Sequence, residues 1–66
     1  MWDDIERIII ENKHLTPCEL AEVIKRHLPD DAKLVSIYIN YSVSIAGVGI
    51  LRNDKEEHRQ FKIEGL

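Results

Sequence analysis

In the first half of the chain apolar residues recur every three or four positions, while in the second half they alternate or run together. That change of period marks a change of secondary structure. Leu20, Val23, Ile24, His27 and Leu28 share one helical stripe, and Glu22, Lys25 and Arg26 fall opposite. Just ahead of them, Leu15-Thr16-Pro17-Cys18-Glu19-Leu20 spells a helix start. Thr16 is the cap, Pro17 suits the first position, Glu19 completes a capping box, and Leu15 and Leu20 stand at staple spacing. The pattern predicts an amphipathic helix over residues 17–28, ended by Pro29. Upstream, Trp2, Ile5, Ile8, Ile9 and Asn12 fall near one stripe, and Asp3 with Glu6 makes a second capping-box pair. A first helix over residues 3–13 follows. Ile8-Ile9-Ile10 alone would suit a strand, but the acidic first turn and the spacing favour helix. Ile10 lies about 100° off the stripe and is expected to be exposed.

Residues 34–51, LVSIYINYSVSIAGVGIL, are rich in β-branched side chains and carry no charge. In the second half of this stretch neither alternating set is polar, since Val43 and Ile45 lie on one parity and Ala46, Val48 and Ile50 on the other. A strand with two apolar faces calls for cover on both. We expect strands over residues 33–40, 43–51 and 57–64, with Asn53-Asp54-Lys55-Glu56 as the polar turn between the last two. In the final strand Arg59, Phe61 and Ile63 alternate with His58, Gln60 and Lys62, which leaves one wet face. The expected fold is α+β, in ααβββ order: two N-terminal amphipathic helices packed on one face of a three-stranded antiparallel sheet. No internal repeat is visible.

The length of 66 residues fits a single small domain spanning residues 1–66. At that size folding buries only about 60% of the surface the unfolded chain exposes. Small folds gain help from disulfides, metals or association, and Cys18 has no cysteine to pair with. Self-association is the leading source of help, with a homodimer as the expected form. One cysteine fits a reducing, cytoplasmic compartment. Asp3, Asp4 and Glu6 stand where a signal peptide would be basic, and no apolar run reaches the ~20 residues of a membrane span.

The net charge of −3 is uneven. Residues 1–33 hold eight acids against five bases, and residues 34–66 hold four of each, so no segment forms a basic footprint for phosphates. The stretch Thr16 to Ile24 resembles the first helix of a helix-turn-helix. Pro29 and β sequence then stand where the recognition helix would follow. Cys18 sits where a helix N-terminus favours thiolate, yet it has no Cys-x-x-Cys partner and Glu19 beside it opposes the charge. His14, His27 and His58 show no metal-ligand spacing with Cys18 or with each other, so no metal site is expected. His27 is read as a core-edge histidine on the apolar stripe. Gly47 and Gly49 lie within β sequence, away from any helix or P-loop lysine, and read as a smooth strip where another backbone comes close. No cofactor is expected. Catalysis needs a concave pocket that excludes water, which two helices on three strands seldom enclose, so a non-enzymatic role is expected.

What remains is the sheet surface. If Val35, Ile37, Ile39 and Tyr41 join Phe61 and Ile63 against the helices, the opposite face displays Ser36, Tyr38 and Asn40 beside Ala46, Val48 and Ile50, with Arg52 and Lys62 at its rim. A tyrosine among small apolar and polar residues is interface composition. The reading is a protein-binding module, regulatory or inhibitory, with Tyr38, Asn40, Ala46, Val48, Ile50 and Arg52 in the interface. A stand-alone chain of this kind would suit an accessory protein of a virus or mobile element. One alternative is a nucleic-acid-binding module that stacks bases on Tyr38 and Tyr41 and holds phosphates with Arg52, Arg59 and Lys62, against the acidic balance. A second alternative is a structural subunit of a larger assembly.

Overall fold

The computed structural model describes residues 1–66. The elements are α1 (Trp2–Glu11), α2 (Pro17–His27), β1 (Ala32–Asn40), β2 (Ile45–Arg52) and β3 (Lys55–Lys62), and the three strands form one antiparallel sheet in the order β1-β2-β3. This is the ααβββ arrangement that the periodicity predicts.

The start of α2 is built as the sequence spells it. The Glu19 backbone N–H donates to Thr16 Oγ1 at 3.2 Å, and the Thr16 N–H donates to Glu19 Oε1 at 2.9 Å. Two amide donors with no intrahelical partner are thereby satisfied. The expected second capping box is not formed. α1 begins one residue early, with Met1 as its cap and no side-chain cap bond, which places Asp3 inside the first turn. There the carboxylates of Asp3 and Asp4 act on the helix dipole instead. The helix is drawn back because Trp2 buries its ring, and only a helical Trp2 shares the stripe of Ile5 and Ile9. At the other end Asn12 Nδ2 donates to the Ile8 carbonyl at 2.8 Å and closes the helix. Ile10 is exposed, as its angle predicts.

The core lies between the helices and one sheet face. Ile5, Ile9 and Ile24 from the helices meet Ala46, Val48, Ile50, Phe61 and Ile63, all buried, and Leu20 is buried as well. Each fully buried aliphatic side chain contributes about 1.5–3 kcal/mol. Leu34, Ile37 and Ile39 of β1, Val23 of α2 and Leu28 just past its end pack against this core while remaining half-buried. His27 departs from its expected place. It is exposed in the last turn of α2, because the stripe narrows there to Val23, Ile24 and Leu28.

The two hairpins differ in kind. Asn53 and Asp54 join β2 to β3 with φ of 52° and 60° between the paired Arg52 and Lys55. Two consecutive left-handed residues are the signature of a type I′ hairpin, which matches the twist of the strands, and Asn and Asp tolerate that region. β2 and β3 therefore run closer together in sequence than residues 57–64 would allow. The β1–β2 connection is wider. Asn40 Oδ1 accepts from the Ser42 N–H at 3.0 Å, Ser44 takes φ 56°, and the Ser44 carbonyl accepts from the Ile63 N–H at 2.8 Å. Ile63 is thereby held beside the sheet after β3 has ended.

Candidate functional site

The register decides which side chains reach the uncovered sheet face. Ile37 pairs with Val48 and Ile39 with Ala46, while Tyr38 pairs with Gly47 and Ser36 with Gly49. Directly opposed residues share a face, so Ala46, Val48 and Ile50 point into the core with 0%, 2% and 0% of their surface exposed. This corrects the grouping of those three with Tyr38. They belong to the opposite face, under the helices, and the residues beside Tyr38 are the glycines. Between Leu34 and Ser36 the register shifts by a bulge, with Val35 as the extra residue. Val35 therefore leaves the alternation and stands exposed, as do Tyr41 and Val43 in the following turn, and Leu34 faces inward instead.

The uncovered face holds a shallow depression of about 380 Å³, floored by Gly47 and walled by Ser36 and Tyr38 on one side and His58 and Gln60 on the other. The Tyr38 ring lies across Gly47 so closely that a Cβ there would overlap its Cε1 and Cζ. Its hydroxyl accepts a 2.6 Å hydrogen bond from Gln60 Nε2, so one side chain of β1 reaches over β2 to β3. Ser36 and His58 close in the same way over Gly49. The glycines thus serve an approach by side chains of this chain, where sequence reading anticipated a backbone. His58 Nε2 lies 2.8 Å from Glu56 Oε2 on the exposed strand surface. No group of three or more His, Cys, Asp or Glu side chains is arranged to hold a metal ion.

The other expected site residues are dispersed. Asn40 ends β1 and binds its own turn. Arg52 Nε donates to Asp31 Oδ2 at 3.0 Å, at the far end of the hairpin. Arg59 lies on the helix side of β3 with its guanidinium 5.2 Å from the Trp2 ring. Of the bases proposed to hold phosphates, then, Arg59 faces away from Tyr38 and Arg52 is engaged with a carboxylate. Cys18 is a free thiol, exposed on α2. No helix is long and apolar enough to cross a membrane.

Comparison with known protein families, curated proteins and solved structures finds no match.

The two borders of the sheet are chemically unlike. β3, KEEHRQFK, carries Lys55, Glu56, Glu57, Arg59 and Lys62, whereas β1, AKLVSIYIN, has Lys33 as its one charge. Charged side chains on an edge strand discourage pairing with another chain. From Leu34 to Asn40 the β1 border has none. The half-buried Leu34, Ile37 and Ile39, with the exposed Val35, Tyr38, Tyr41 and Val43, make this border the apolar side of the sheet. Nothing in Leu34-Val35-Ser36 marks a bulge, so simple alternation places Val35 inward, and the register places it outward.

Proposed function

We propose that this protein is a small non-enzymatic binding module, regulatory or inhibitory in kind, that contacts another protein chain through the β1 border of its sheet. The observation that carries the reading is the contrast between the two edges: five charged side chains along β3, and an uncharged run from Leu34 to Asn40 along β1. An unguarded edge offers backbone donors and acceptors to an incoming strand, and the apolar side chains beside it supply the contact area. With Arg52 held by Asp31 and Arg59 laid on Trp2, a nucleic-acid role has no coherent phosphate track.

The test is capture from a lysate of the encoding organism with the unmodified chain, with Val35→Glu and with Glu56→Lys, followed by mass spectrometry. The expected result is a protein held by the unmodified chain and by Glu56→Lys but lost with Val35→Glu. Retention of nucleic acid that falls steeply with salt, with no protein dependent on Val35, overturns the reading.

A further inference from the structure

We infer that the β1 border pairs with a second copy of this chain, strand against strand and antiparallel, about a two-fold axis through Tyr38. This rests on the protein-binding reading above and names one partner for that border. The two sheets of three strands merge into one continuous sheet with β1 and its copy at the centre and the two β3 strands at the outer edges.

The register follows from the strand itself. The bulge at Leu34/Ser36 and the turn after Asn40 limit the regular part of β1 to residues 36–40. Directly opposed residues in an antiparallel pair share a face, so the axis of a symmetric pair passes through a residue position and not between two. Tyr38 is the centre of the regular stretch, and the axis through it is the one that engages all of that stretch. Ile37 then stands opposite Ile39 of the second copy, Ser36 opposite Asn40, and Tyr38 opposite Tyr38. Apolar meets apolar on the core side and polar meets polar, while each Tyr38 ring stays folded inward over Gly47 of its own copy and leaves the seam on the open face clear for the two backbones. No charge opposes another.

The occupant matches what β1 lacks. Ile37 and Ile39 pack on the core from the outermost strand and stay half-buried, and an added strand covers the side they leave open. The need is large in a fold with 14 of 66 residues buried and a single cysteine that has no partner within the chain. β3 does not offer the same opportunity, since Glu57 and Arg59 are engaged with Trp2 and its remaining charges would line the seam. A seam of this length is smaller than the standard interface of about 1,600 Å², so the dimer is concentration-dependent.

Two measurements test it. Sedimentation of the full chain over a concentration series should show a monomer–dimer equilibrium, and Tyr38→Lys should shift it to monomer with the strand signal in circular dichroism retained. In a Cys18→Ser background, Tyr38→Cys places thiols opposite each other across the axis, where antiparallel Cα spacing fits a disulfide. Its oxidative cross-linking should run roughly tenfold or more faster than that of Gln60→Cys, because the pairing raises the local thiol concentration. A monomer at every concentration, or equal cross-linking of the two cysteine variants, overturns the self-pairing. A monomeric chain that still captures another protein through Val35 overturns it while leaving the binding-module reading intact. Cross-linking at Tyr38→Cys with no captured protein supports the self-pairing alone.

Discussion

The hydroxyl of Tyr38 on β1 accepts a 2.6 Å hydrogen bond from the side chain of Gln60 on β3, bridging the glycine that lies between them on β2. The bond exists because position 47 has no side chain to hold the ring away. Gly47→Ala should therefore expel Tyr38 from its place and break the bond. The loss of ring-current shifts on the protons of residue 47 in NMR spectra would report it. Tyr38→Ala should cost about 0.5–1 kcal/mol in the natural chain, in the range of cross-strand pairs. It should cost measurably less when Gly47→Ala is already present, as a double-mutant cycle by urea denaturation would show.

Val48→Asp should unfold the protein. Val48 is 2% exposed beneath the helices, and an unpaired buried carboxylate costs more than about 4 kcal/mol against a total of about 3–10 kcal/mol for a domain of this size. Tyr38→Lys, on the opposite face of the neighbouring strand, should remain folded. Far-ultraviolet circular dichroism of the two variants separates the faces. A folded, monomeric Val48→Asp protein would mean that β2 faces the other way.

Trp2 ties the first turn of α1 to β3. Its ring centroid lies 6.2 Å from that of Phe61, its Nε1 donates to Glu57 Oε2 at 3.3 Å, and Arg59 covers its face. Trp2→Ala should cost about 3–5 kcal/mol, close to the whole stability of the fold. Arg59→Ala should cost about 0.5–1 kcal/mol, the value of an exposed cation–π contact. As the chain has one tryptophan, its fluorescence should report the Arg59 change directly.

The capping box of α2 sets a pH dependence. The Thr16 backbone N–H and then its hydroxyl hold the Glu19 carboxyl below its ordinary pKa. A group with a depressed folded value stabilises fully above its unfolded pKa, about 4.3 for glutamate, and loses that contribution as pH falls through the lower folded value. Glu19→Gln does not titrate, so its unfolding midpoint should converge on that of the natural chain on acidification across this window. Thr16→Ala should cost about 1 kcal/mol at neutral pH. Superimposable denaturation curves for Thr16→Ala and the natural chain would show that the cap contributes nothing.

Features fixed by neighbours in the chain were legible without the fold. Thr16, Pro17 and Glu19 interact within one helical turn, and their geometry matches their spelling. The stripe of Leu20 and Ile24, the exposure of Ile10 and the polar turn at Asn53-Asp54 follow from periods and dihedral preferences that each segment carries by itself. Trp2 escaped this logic at α1, where a distant partner, Phe61, sets the helix start one residue earlier than the local acids imply.

Element order and the amphipathic faces of both helices follow from periods that each segment carries alone. Which side of β2 is core depends on strand pairing. From Ile45 to Leu51 neither parity carries a polar side chain, so alternation gives no direction there, and the choice falls to the register against Ile37 and Phe61. The bulge at Val35 was decided at the same level, since a one-residue slip in pairing is a property of two strands and leaves no mark on either. That slip turns Leu34 inward and Val35 outward, and with them it makes the β1 border the apolar edge of the molecule.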